Sequence, residues 1–146
     1  MTSATKALID ELSRIIDKNK YLILSGSSGV GKTFLASAIV ENCLNPCFNA
    51  QGFLHNGKEN YEHEMEIVLI HPSVSYEDFV SGISIRTEDG SVVFRYEDKL
   101  FLSLLRKANR SWNNGEDKKY FLILDDIGRG AISGILGDML PLIEPH

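Results

Sequence analysis

A chain of 146 residues has the size of one ordinary domain. Its 43% hydrophobic and 24% charged residues allow a packed core, which excludes wholesale disorder. A net charge of −5 argues against a chain built to coat nucleic acid or anionic membrane. No apolar run reaches the roughly 18 residues of a membrane span. Met1–Lys6 lacks the basic and apolar regions of a signal peptide, so the expectation is a soluble cytoplasmic domain with no membrane partner. Cys43 and Cys47, without a second Cys pair, read as reduced thiols rather than a disulfide or zinc framework.

In chain order, Ala4, Ala7, Leu8, Leu12, Ile15 and Ile16 fall on one stripe of a helix over 3–18, with Ser3 as its N-cap. Tyr21-Leu22-Ile23-Leu24 then forms a short continuous apolar run stopped by Ser25-Gly26, the pattern of a strand buried on both faces of a parallel sheet. A second helix is expected from about Lys32, turning Phe34, Leu35, Ala38 and Ile39 inward and ending before Pro46. Together 21–44 make a first core segment, and residues 45–65 read as a variable polar loop. From 66 onward the remaining core begins with a buried strand at Ile67–Ile70. Ile83–Arg86 and Val92–Tyr96 flank an Asp89-Gly90 hairpin turn. Leu100, Phe101, Leu104, Leu105 and Ala108 mark a helix broken at Trp112–Gly115. Phe121–Leu124 is a third buried strand, closed by Asp125-Asp126, and the stripe from Ile132 to Ile143 is a last helix. Alternating strands and helices point to an α/β layered fold with a mainly parallel sheet.

Gly26-Ser27-Ser28-Gly29-Val30-Gly31-Lys32-Thr33 matches G-x-x-x-x-G-K-[ST] at every fixed position, between a strand and a helix. Glycines let such a loop turn through conformations closed to other residues and bring backbone N–H groups near phosphate oxygens. The following helix directs its positive end, with Phe34 in its first turn, at the same anion. Lys32 is then the candidate for the β- and γ-phosphates, and Thr33 for Mg²⁺. Phe121–Asp126 supplies the acidic partner at a strand's C-terminal edge. Asp125 is the candidate to hold Mg²⁺ through its water shell, and Asp126 to act as general base on the attacking water. Arg129 and the histidines at 55, 63 and 71 read as surface or edge residues. Trp112 reads as a helix-end packing residue, and Tyr76 and Phe79 as core anchors.

These motifs resemble AAA+ ATPases. Ser75-Tyr76-Glu77-Asp78-Phe79, Asp125-Asp126-Ile127-Gly128-Arg129 and Leu142-Ile143-Glu144 are similar to segments of the McrB branch, the motor subunits of modification-dependent restriction systems. The resemblance covers about 21–146. It implies a three-layer P-loop NTPase fold with strand order 5-1-4-3-2, so that the strand before the phosphate loop does not pair with the one carrying Asp125. It also implies ATP or GTP as substrate with Mg²⁺, a homo-oligomeric ring, a McrC-like endonuclease partner and DNA contacted only indirectly. The family's central strand, sensors and helical lid follow this point, so the resemblance implies a partial domain, incomplete on its C-terminal side. Asp126 stands where the family has Glu, and Gly128 where it has Asn. Binding is expected to survive both changes and hydrolysis to slow. The alternative is a nucleotide-binding or assembly module with little turnover of its own, and a small-molecule kinase is the weaker third reading.

Overall fold

The computed structural model describes residues 3–44, 65–137 and 139. The chain divides into two compact units. Of the described residues, one holds 3–44, 65–66 and Phe121–Ile123, and the other holds Ile67–Tyr120, Leu124–Gly137 and Met139.

In the first unit, α1 (Ser3–Asn19) packs on α2 (Lys32–Leu44). The inward face of α1 is rotated from the expected stripe. Ile9 and Ser13 are buried, whereas Leu8 is 44% exposed. Spacing at 9, 12, 13 and 16 is also helical, and α2 selects this stripe because it offers a partner to the Ser13 hydroxyl. Asn42 Nδ2 donates to Ser13 Oγ at 2.9 Å, while that hydroxyl donates to the Ile9 carbonyl at 2.8 Å. A buried serine satisfied in this way costs little and fixes the pairing of the two helices. Ile9, Ala38, Ile39 and Cys43 form the core, flanked by Leu12, Ile16, Leu22, Leu24, Leu35 and Phe121. Phe34, expected inside, is 50% exposed. α1 ends where Lys20 takes φ 68° and donates its N–H to the Ile16 carbonyl at 2.8 Å, a left-handed cap without glycine.

Tyr21–Leu24 corrects the sequence expectation. Among the described residues it joins no sheet. It buries one face only, because Leu22 and Leu24 turn to the helical core while Tyr21 and Ile23 are 45% and 70% exposed. Among the described residues β4 (Phe121–Asp125) pairs with β1 (Met65–Leu69) in a parallel two-stranded sheet that does not include this run. The expected loop at 45–65 lies outside the described residues except for Met65, which opens β1.

In the second unit the chain leaves β1 through Ile70, whose N–H donates to the Asp125 carbonyl at 2.9 Å. The short helix α3 (Tyr76–Phe79) starts at a capping box. Asp78 N–H donates to Ser75 Oγ at 3.3 Å and Ser75 N–H donates to the Asp78 carboxylate at 3.1 Å. Phe79 is 2% exposed and meets Phe101 with ring centroids 5.7 Å apart, which bears out its reading as an anchor. β2 (Ser81–Glu88) and β3 (Ser91–Asp98) then form an antiparallel hairpin. Its turn residues Asp89 and Gly90 both have positive φ, 51° and 78°, as a two-residue turn of this hand requires. α4 (Leu100–Asn113) follows with Leu104 buried, and Gly115 at φ 70° ends it. Trp112 is 81% exposed and does not pack the helix end as expected. It lines an open groove of about 660 Å³ with Leu105 and Tyr120. After β4 a single 3₁₀ turn (Ile127–Arg129) leads to α5 (Ile132–Leu136), which buries Ile135 and Leu136. Beyond Gly137 only Met139 of the expected last helix is described.

Three described carboxylates tie this unit to pH, one of them Glu116, which the Lys118 ammonium holds below its usual range. Asp78 is held below the usual range by the Ser75 hydroxyl, then by the Ser75 N–H. Glu97 is lowered by the Ser84 hydroxyl and the Arg86 guanidinium. Depressed folded values contribute stability that is present above the unfolded pKa values, about 3.9 for Asp and 4.3 for Glu, and lost as pH falls through the folded ones. Melting temperature is therefore expected to hold from pH 7 to about 5 and to fall below about 4. Ser75→Ala is expected to cost about 1 kcal/mol at neutral pH through the lost cap, and to flatten part of the acid limb.

Candidate functional site

The Gly26–Thr33 loop is shaped by its own residues. Gly29 and Gly31 take φ of 80° and 88°, conformations open to glycine, and a Cβ at either would meet nothing within 4 Å. Their requirement is therefore conformational, and the space beside them is open. Gly26 differs. It lies outside the left-handed region, and a Cβ there would touch Val30 Cγ2 at 3.4 Å. Its carbonyl instead accepts Lys32 Nζ at 3.0 Å, and the Ser27 carbonyl accepts the same group at 2.8 Å. The ammonium thus folds back across the loop it follows. Leu35 N–H donates to the Gly31 carbonyl at 2.9 Å, which fixes the head of α2 directly behind the loop. Ser27, Ser28, Val30, Thr33 and Phe34 are exposed, with Val30 at 65%. Thr33 is the second residue of α2, where the helix carries its partial positive charge.

Asp125 and Asp126 stand at the C-terminal end of β4 in the second unit. Asp125 is half-buried, and its Oδ1 accepts the Asp126 N–H at 3.0 Å. Asp126 is exposed and takes φ 55° and ψ 37°, a left-handed conformation that Asp tolerates better than bulkier residues. Its carboxylate pairs with Arg129 Nε at 3.0 Å across the 3₁₀ turn, and the Asp126 carbonyl accepts Arg129 N–H at 2.9 Å. Sequence reading set Arg129 aside as a surface residue. The i,i+3 spacing across a tight turn is the signal that joins it to Asp126. Gly130 fixes the path just beyond, because a Cβ there would meet Ile70 Cγ2 at 2.5 Å. His71, expected at a packed edge, is exposed, and its Nδ1 accepts Ser73 N–H at 3.3 Å. The sites at 55 and 63 lie outside the described residues.

Thr33 and Asp125 each carry oxygen suited to a hard cation. A threonine hydroxyl and a carboxylate are oxygen ligands of the kind Mg²⁺ takes while keeping much of its water. Among the described residues no group of three or more His, Cys, Asp or Glu gathers into a metal cluster. No described helix is long and apolar enough to cross a membrane.

The profile of the AAA domain family, dynein-related subfamily, matches residues 21–146. The chain belongs to that family. The match covers both the glycine loop and the acidic turn, so the AAA+ fold class expected from the motifs holds for this AAA domain. It is also 30% identical over 136 residues to the Type IV methyl-directed restriction enzyme EcoKMcrB subunit of Escherichia coli (strain K12). That alignment takes in 93% of this chain and 25% of the relative, so the AAA domain spans about a quarter of that protein's length. The McrB-like character read from 75–79 and 125–129 stands on the same alignment.

Proposed function

We propose that this AAA domain binds ATP or GTP with Mg²⁺ through Gly26–Thr33 and hydrolyses the terminal phosphate bond. The observation that carries the reading is the loop itself. Two glycines at positive φ border open space, and Lys32 Nζ rests on the loop carbonyls at the head of α2. An ammonium so placed trades two neutral acceptors for charged phosphate oxygens without leaving the loop, an exchange that favours the anion. Loop N–H groups donate to the same phosphates, and the helix end adds its dipole. Thr33 and Asp125 are the residues that would hold Mg²⁺, which when bound supplies positive charge against the phosphate oxygens. Asp126 turns from Arg129 to accept the proton of the attacking water as its oxygen bonds to the γ-phosphorus, the bond to the oxygen bridging the β-phosphate breaks, and Lys32 balances the charge that builds on the leaving diphosphate.

In the longer assembly we assign this domain to the core of a McrB-like ring motor in DNA restriction. A McrC-like endonuclease is its partner, DNA is engaged indirectly, and the compartment is cytoplasmic. The EcoKMcrB subunit's description as a methyl-directed restriction enzyme supports this reading. One observation favours a second reading, a nucleotide-binding module with slow turnover. Asp126 is one methylene short of the family's Glu, and its carboxylate is engaged with Arg129. The test of binding is stabilisation by Mg²⁺-ATP or Mg²⁺-GTP that Lys32→Ala removes.

A further inference from the structure

Asp126 enters the 3₁₀ turn with each of its polar groups engaged. Its N–H donates to Asp125 Oδ1 at 3.0 Å, its carbonyl accepts the Arg129 N–H at 2.9 Å, and its carboxylate meets Arg129 Nε at 3.0 Å. Residues three apart across such a turn eclipse one another, so the two side chains stand one above the other. The far end of the turn is fixed as well. A Cβ on Gly130 would fall 2.5 Å from Ile70 Cγ2 and 3.0 Å from Ile135 Cδ1, and both isoleucines are buried. Packing has therefore already set the backbone that presents Arg129 to Asp126. The pair forgoes part of the entropy cost that makes free surface ion pairs weak.

We propose that Arg129 is a positioning residue that restrains Asp126, which rests on the reading of Asp126 as the acceptor of the water's proton. A guanidinium carries five donors and no acceptor, so it holds a carboxylate but takes no proton itself. Its effect on the reaction runs only through Asp126. While the pair is closed, the carboxylate is committed to the turn, and turnover proceeds from the released fraction alone. An exposed pair weighs this balance by at most about fivefold.

Steady-state phosphate release from Mg²⁺-ATP and Mg²⁺-GTP by the full 146-residue chain tests this. Arg129→Ala is expected to raise kcat roughly two- to fivefold with KM unchanged, because the restraint acts on the chemical step and not on the loop that grips the phosphates. Arg129→Gln keeps most of the stem without the charge and should match it. Arg129→Lys keeps a cation within reach and should stay near the unsubstituted rate. In the Asp126→Glu background, where the longer side chain escapes the pair, Arg129→Ala is expected to add nothing, as is its addition to Asp126→Asn. A kcat that neither Arg129→Ala nor Arg129→Gln raises, a change in KM alone, an Arg129→Lys rate equal to that of Arg129→Ala, or the same gain in the Asp126→Asn background overturns the restraint. If Asp126→Asn lowers turnover in such a case, the role of Asp126 stands and only that of Arg129 falls. An Asp126→Asn variant as active as the unsubstituted chain, or a chain that binds nucleotide and releases no phosphate in any form, removes both.

Discussion

Replacing Asp126 with Glu is expected to raise phosphate release from ATP or GTP by on the order of a hundredfold, the scale of a misplacement of about 1 Å. The argument rests on reach. Asp126 sits in a left-handed conformation at the first step of the 3₁₀ turn, and its short side chain is drawn back onto Arg129 Nε at 3.0 Å. One more methylene adds about 1.5 Å of bond length from the same Cα and frees the carboxylate to address a water beyond the strand end. An exposed ion pair of this kind is worth at most about 1 kcal/mol, so Arg129 does not hold the longer side chain back. Glu fits the left-handed region less well than Asp, and a small loss of stability is the expected side effect. Asp126→Asn keeps the shape without the charge and should remove the turnover that remains. The check is steady-state phosphate release at saturating nucleotide. Equal rates for the unsubstituted chain, Asp126→Glu and Asp126→Asn would mean that this carboxylate does not act on water, and the slow-turnover binding module would then be the better account.

Ile39→Ala is expected to lower stability by about 3 kcal/mol, within the range of large-to-small core substitutions. Ile39 is 1% exposed and sits among Ile9, Ala38 and Cys43, where α1 packs against its helix. Relaxation into the space is restricted because the Asn42–Ser13 hydrogen bond fixes the helix pair. Ile23→Ala removes the same atoms from a side chain 70% exposed and should cost well under 1 kcal/mol. Thermal or urea unfolding of the two variants measures the contrast. Equal losses would show that Ile23 is as buried as its apolar run suggested.

That contrast marks what the sequence carried and what it did not. The Asp89-Gly90 turn was legible because the dipeptide answers a local demand for positive φ, and both residues meet it. The start of α2 behind the glycine loop, Phe79 in the core and the end of α4 near Gly115 were legible for similarly local reasons. Tyr21–Leu24 was not, because an apolar run does not say which strand, if any, will pair with it. α1 offered two overlapping stripes, and only the Asn42 amide across the helix pair decided for Ser13 over Leu8. Trp112 read as a helix-end packing residue, while α4 turns it outward. At the site, residue types and spacing named the loop and the acid pair. Composition had no means of showing that Lys32 rests on its own loop, or that Arg129 engages Asp126, since both follow from how tight turns bring side chains back.

The most direct test of nucleotide binding at Gly26–Thr33 is the melting temperature of the chain with excess ATP or GTP, each with Mg²⁺ and with chelator. Ligand at a hundred times its dissociation constant is expected to add about 2.7 kcal/mol. For a domain of this size that is a rise of several degrees. The rise should need Mg²⁺ for its full extent and vanish in Lys32→Ala, whose own melt without nucleotide should match the unsubstituted chain, because an exposed ammonium on two carbonyls adds little. A rise that persists in Lys32→Ala, or an unsubstituted chain that melts cooperatively at the same temperature with and without either nucleotide, would contradict binding at this loop.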